Sequence, residues 1–165
     1  MELAEAAARA DELARAGDER TLSDLRREWD DEVEAAARSG DYRVRAAAYR
    51  AVGQFRYRQK RELLRRGLED ESPAARGAAL LSLELFGRDR PGDVNGVRPL
   101  LHKLADADPN NAVRRLAIAC LRHGTPARDT IVLLQGLAAD DDADKDLRAA
   151  AAKVAAELTR KSRAR

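Results

Sequence analysis

Four times in this chain an arginine is followed, three residues later, by an alanine early in an apolar helical stretch. The copies are Arg45/Ala48, Arg76/Ala79, Arg114/Ala117 and Arg148/Ala151, with spacings of 31, 38 and 34 residues between the arginines. Seven residues after each arginine comes Val52, Leu83, Leu121 or Ala155, two helical turns further on the same face. One such motif means little in an alanine-rich chain. Four at near-constant intervals imply a supersecondary unit that is repeated. Two more registers share the period. An aspartate stands six residues before three of the arginines (Asp70, Asp108 and Asp142), and Ser39, with Asp41 nearby, takes that place in the first copy. Between the arginine helices run Leu64/Leu68, Leu100/Leu104 and Leu133/Leu137. Each unit therefore reads as an aspartate turn, a helix with Arg-x-x-Ala, a short loop, and a helix with a leucine stripe.

No segment alternates in the manner of a strand, and helical spacing is broken at short intervals by Gly, Pro, Asp and Asn. The spacing predicts helices over 2–16, 22–38, 42–53, 57–68, 73–86, 94–105, 110–123, 127–138 and 144–161. Gly17, Gly40, Gly53, Gly87 and Gly124 follow helical runs, where a left-handed terminal residue suits glycine. Ser72-Pro73 and Thr125-Pro126 read as helix starts, with a capping hydroxyl before a first-turn proline.

Composition narrows the packing. Hydrophobic residues are 44% of the 165, but alanine supplies much of this and aromatics only 4%. So thin a core fits helices packed closely in a layer of hairpins. The net charge of +2, from 31 basic and 29 acidic residues, does not by itself call for nucleic acid. A lone cysteine, Cys120, cannot form an internal disulfide, in keeping with a reducing compartment. The first residues lack the basic and apolar regions of a signal peptide, and no apolar run approaches the roughly 20 residues that span a bilayer. We expect a soluble cytoplasmic protein without a membrane partner.

The segments DYRVRAAAYRAVG, EDESPAARGAALLSLELFG and DADPNNAVRRLAIACL resemble HEAT repeats, especially the type first noted in phycobilin lyases. The resemblance covers about residues 39–161. It implies an all-α, right-handed solenoid of helical hairpins, about nine helices in one domain. The units would be 39–69, 70–105 and 106–139, with 140–165 a C-terminal half-repeat ending in a basic tail. Residues 1–38 lack the signature. There Leu22, Leu25, Trp29, Val33 and Ala36/Ala37 can form one apolar face, as in a divergent pair capping the array. The resemblance further implies a structural ladder between the turn aspartates Asp70, Asp108 and Asp142 and the arginines Arg45, Arg76, Arg114 and Arg148. Ser39 departs from that pattern.

The most functional-looking stretch is 42–66. It holds nine basic residues, one acid (Glu62), and the aromatics Tyr42, Tyr49, Phe55 and Tyr57. Cations interleaved with aromatics can neutralise phosphates and stack on bases. The same cations can equally pair with the acidic run from Glu28 to Glu34. Two readings stand. The first is a non-catalytic adaptor that binds a protein or peptide along the face lined by the second helices, through Arg58, Arg61, Arg65, Arg98, His102, Lys103, Arg128 and Gln135. The alternative is nucleic-acid binding through a patch of Arg43, Tyr49, Arg50, Arg56, Tyr57 and Arg66.

Chemistry has little foothold. No nucleophile elbow, phosphate loop or dinucleotide fingerprint occurs, so no catalytic residue or cofactor is assigned. A lyase or a HEAT-like DNA glycosylase is a weaker alternative, with no aromatic cluster or tetrapyrrole pocket to carry it. Cys120 and His123 could supply two zinc ligands but have no companion pair. The run Asp140–Asp146 has Lys145 and Ala151 where a calcium loop needs glycine and glutamate. No metal is expected.

Overall fold

The computed structural model describes residues 1–164, so Arg165 of the basic tail lies outside the described residues. It is all-α, with ten α-helices and no strand among the described residues. They are α1 (Leu3–Ala16), α2 (Glu19–Ala37), α3 (Tyr42–Gln54), α4 (Arg61–Leu68), α5 (Pro73–Asp89), α6 (Pro91–Asn95), α7 (Arg98–Ala107), α8 (Asn111–Leu121), α9 (Arg128–Ala138) and α10 (Lys145–Arg163). The nine expected helices are present. The addition is α6, a single turn opened by Pro91 and pinned by the fully buried Val94. A 3₁₀ turn, Arg58–Lys60, replaces the expected start of α4. Helix α2 begins earlier than expected because Asp18 accepts the Thr21 amide at 3.2 Å. Thr125-Pro126 does not open α9, whose N-cap is Ala127.

The chain divides into two compact units, Met1–Phe86 and Gly87–Arg165. In the first, α1, α2 and α3 pack on one another, and α3 with α4 makes the first signature hairpin. In the second, α7 pairs with α8 and α9 with α10, while α8 also packs on α10 and α7 on α9. Within the second unit this is solenoid stacking: signature helices form one layer and leucine-stripe helices the other.

The repeated positions are the core. Ala48, Ala79, Ala117 and Ala151 are all fully buried, and Val52, Leu83, Leu121 and Ala155 are at most 4% exposed. In the first three copies the arginine three residues before that alanine reaches backwards. Arg45 donates to the carbonyls of Ser39 (3.0 Å) and Gly40 (3.2 Å), and Arg76 to those of Asp70 (2.9 Å) and Glu71 (3.2 Å). Arg114 donates to those of Ala105 (2.9 Å) and Asp106 (3.0 Å). Arg45 and Arg76 clamp the loop that leads into their own helix, and Arg114 clamps the last turn of α7. Arg45 adds the implied ladder rung, a two-pronged contact with Asp70 at 2.8 and 3.0 Å.

The turns obey one rule with one shift of register. Asp70 Oδ1 accepts the amide of Ser72 and Asp108 Oδ1 that of Asn110, both at 2.9 Å. Ser39 Oγ does the same for Asp41 at 3.1 Å, so the apparent departure keeps the turn and loses only the charge. In the last copy the turn residue is Asp140, which accepts the Asp142 amide at 3.0 Å. The expected Asp142 is the donor, because the loop before α10 is two residues longer.

Glycine was expected to end five helices, yet only Gly17 is left-handed, at φ 74°. Gly53 and Gly87 lie inside α3 and α5. A Cβ at Gly53 would sit 2.7 Å from Ser82 Cα, so the glycine is there for close helix approach. The Ser82 hydroxyl inserts into the α3 ladder at that point: it donates to Tyr49 O at 2.6 Å and accepts from Gly53 N at 3.0 Å. Gly53→Ala should therefore push α3 and α5 apart and cost about 1–3 kcal/mol, as overpacking does. Urea unfolding monitored by circular dichroism measures it; an unchanged midpoint would rule out the tight crossing.

Candidate functional site

In the first unit, the basic stretch is largely consumed by its own fold. Lys60 is 7% exposed and donates to Asp30 at 2.9 Å and Glu34 at 2.7 Å, with its ammonium 5.3 Å from the Tyr57 ring centre. Burial would lower its pKa, but the Glu34 and Asp30 hydrogen bonds outweigh that and raise it. Arg56 is the sole non-glycine with positive φ, 58°, among the described residues. It closes α3 in the place glycine usually fills: its amide bonds Gly53 O, and that of Tyr57 bonds Val52 O. The conformation, worth roughly 1–2 kcal/mol of strain, is held by the guanidinium. Arg56 Nη1 donates to Asp11 (2.9 Å) and to the carbonyls of Gly53 (2.8 Å) and Gln54 (3.2 Å). Arg43 pairs with Asp41, and Arg65 lies 3.8 Å from Glu62 and 3.9 Å from Glu69. Arg58 lies over the Phe86 ring at 5.1 Å, and Arg50 is half-buried. Arg61 and Arg66 are exposed on α4.

The aromatic half of the expected patch is a correction. Tyr49 is 3% exposed, and Phe55 and Tyr57 are fully buried. The rings of Phe55 and Tyr57 stack at 5.0 Å, and the Tyr57 hydroxyl donates to Arg26 O. They are core residues anchoring α3 to α2, and no base can reach them. Only Tyr42, 48% exposed, faces outward.

In the second unit, His102, Lys103 and Arg128 of the expected binding residues line one groove between α7 and α9, with Asp106, Asp129, Val132 and Leu133. Its volume is about 520 Å³. Val132 is 56% exposed, the most open large aliphatic residue after Met1. It was missed in the sequence, although the run Ile131-Val132-Leu133-Leu134 is longer than one buried stripe needs, so part of it must face out. Gln135 lines a different groove, between α9 and α10.

Arg98 does not line the α7–α9 groove; it joins His102, which does, in a hydrogen-bonded network between the two helices. Arg98 donates to Thr130 Oγ1 and Thr125 O, both at 2.8 Å, and to Asn95 Oδ1. His102 Nε2 lies 2.7 Å from the fully buried Thr130 hydroxyl. Arginine can only donate, so Thr130 Oγ1 accepts from Arg98 and shares a second hydrogen bond with His102 Nε2, whose direction follows the imidazole tautomer. Asn95 and Thr125 complete the joint: Asn95 Nδ2 donates to Thr125 Oγ1 at 2.8 Å, and Thr125 N to Asn95 Oδ1 at 2.9 Å. The hydroxyl beside the imidazole is sealed from solvent, so the pair fixes α7 against α9 and has no access to a substrate.

Among the described residues no group of three His, Cys, Asp or Glu could hold a metal ion, and Cys120 is buried. No helix among them is long and apolar enough to cross a membrane.

Residues 30–95 match the family model for HEAT repeats. The match runs from the middle of α2 to the end of α6, and so takes in the Arg45 and Arg76 copies of the signature. No curated protein and no solved structure matches the chain. Outside the matched residues, Asp108, Arg114 and Ala117 repeat the turn, the backward-reaching arginine and the buried alanine of the matched segment.

Burial, and then the nearby Arg98 charge, hold the His102 pKa below its ordinary 6.5. The unfolded chain therefore binds that proton more tightly. The stability His102 contributes is complete above about pH 6.5 and is lost as pH falls through the lower folded value. An NMR titration of the imidazole should place its midpoint below that of a free histidine. Thr130→Val keeps the shape but removes the shared hydroxyl, and should destabilise the fold by about 1–3 kcal/mol. An ordinary His102 midpoint together with an unaffected valine variant would contradict the joint.

Proposed function

We propose that this chain is a non-catalytic binding module whose α7–α9 groove receives a peptide segment of a protein partner. The supporting observation is the groove itself: an aliphatic floor of exposed Val132 and half-buried Leu133 between charged rims of both signs, Lys103 and Arg128 against Asp106 and Asp129. A partner side chain of Leu or Met size covers the floor, and flanking charges set its direction. Behind the floor, the Arg98–Thr130–His102 joint holds α7 and α9 at a fixed spacing, so little ordering is left to the moment of binding. HEAT repeats are commonly protein-interaction scaffolds, which agrees with this reading. The nucleic-acid alternative has lost its main supports, since Tyr49, Phe55 and Tyr57 are buried and several of the cations of 42–66 are paired within the fold.

Peptides selected from a random library on the folded protein provide the test. Val132→Asp should weaken the selected peptides at least tenfold, because a carboxylate cannot be buried unpaired under an apolar side chain. Arg61→Glu/Arg65→Glu on α4 should leave them unchanged. Peptides that bind the Val132→Asp protein as well as the wild type would remove this groove from the account.

A further inference from the structure

One cation of the first unit finds no acid. Arg50 stands on α3 beside the tight crossing at Gly53, where the Ser82 hydroxyl of α5 donates to Arg50 O at 3.1 Å. Its side chain is half-buried. Its Nη1 is enclosed and has no acceptor among the described residues. A buried charged donor without a partner is costly, so a fold that keeps one calls for an explanation.

The acid that acts on Arg50 most strongly is already taken. Both oxygens of Asp11, on α1, are engaged at 2.9 Å, Oδ2 by Arg15 Nη2 and Oδ1 by Arg56 Nη1. Arg56 and Arg15 act on Arg50 as like charges, and Glu84 of α5 is a weaker second acid. Burial, with those two cations adding to it, lowers the Arg50 pKa in spite of both acids. Three guanidiniums thus surround one fully engaged carboxylate. Asp11 uses only one nitrogen of Arg15 and one of Arg56, so both keep N–H donors to spare. The Arg15 side chain is 75% exposed, which leaves the cluster open to solvent on that side.

We propose that Arg15, Arg50 and Arg56, gathered about Asp11, form an oxyanion site for a phosphate dianion, either the free ion or a monoester. A water could accept from Arg50 Nη1 but brings no charge. A planar carboxylate brings one charge and matches one guanidinium fork, whereas tetrahedral phosphate oxygens accept from several. A phosphate monoester carries about two negative charges at neutral pH, against roughly one for each backbone phosphate of a nucleic acid. Arg50 is the inner donor. Arg56 is held beside it by Asp11 and by the carbonyls of Gly53 and Gln54. Arg15 reaches the anion from the solvent side. Asp11 subtracts from the attraction but keeps Arg15 and Arg56 together. The site lies wholly in the first unit and is independent of the α7–α9 groove.

Titration of the full chain with inorganic phosphate and, separately, with O-phosphoserine tests this. The arginine side-chain N–H signals are followed by NMR at constant ionic strength. Both ligands should give saturable shifts, the Arg50 signal among them, with Kd on the order of 1 mM. Tighter binding of phosphoserine assigns the site to a monoester, and tighter binding of phosphate to the free ion. Dimethyl phosphate, a monoanionic diester, should bind at least about tenfold more weakly than phosphate. Arg50→Met keeps an apolar stem in place of the arginine and should retain the helix content. It should weaken phosphate binding by at least about tenfold. The absence of a saturable Arg50 shift up to about 20 mM phosphate would overturn the proposal. So would dimethyl phosphate that binds as tightly as phosphate, or an Arg50→Met protein that binds phosphate as the wild type does.

Discussion

The joints of this molecule rest on an arginine that reaches back over its own helix start. Arg45 and Arg76 each donate to two carbonyls of the preceding loop, and Arg114 to two in the last turn of α7, groups that a helix end leaves without a partner in the ladder. In a core built of large side chains, interlocking shapes would fix how one hairpin meets the next. Here the central repeated position is a fully buried alanine in every copy, and crossings such as Gly53 on Ser82 have almost no side chain to interlock. Alanine contributes little transfer free energy. Register therefore depends on polar ties: the loop clamp, the turn built by Ser39, Asp70, Asp108 or Asp140, and the Arg45–Asp70 rung.

What is left for function follows from how much charge these ties consume. The segment 42–66 is the most basic of the chain, yet Lys60, Arg56 and Arg45 are each bound to acids that the fold brings to them. The same holds in the second unit, where Arg98 and His102 are committed to Thr130. The places that keep spare capacity are those the joints leave over. Val132 with Lys103 and Arg128 is one, and Arg50 beside the fully engaged Asp11 is the other.

The helices and the repeat were legible because their signal is periodic and each copy is tested by the others. A residue's job at a single position was less so. Glycine at 53 and 87 fits a helix end and a close crossing equally well in sequence, and only the neighbouring helix distinguishes them. Asp140 and Asp142 both precede the last arginine, and loop length decides which one builds the turn. Tyr49 and Tyr57 stand among arginines in the chain but face the core, because Lys60 and Arg56 turn back to acids on α2 and α1. The α7–α9 groove was half visible: its charged rim was named, while Val132 was hidden in an apolar run.

The claim that the repeat arginines are ties between hairpins is tested most directly by a double-mutant cycle on Arg45 and Asp70. The Arg45 hydrogen bond holds the Asp70 carboxyl below the usual carboxylate range, helped by the Ser72 amide. The pair is therefore fully in place above about pH 4 and is lost as pH falls through the lower folded value. Equilibrium unfolding of Arg45→Ala, Asp70→Ala and the double variant at pH 7 should give a coupling of about 1–3 kcal/mol that vanishes once Asp70 is protonated. Additive effects, with a coupling below about 0.5 kcal/mol at pH 7, would contradict it.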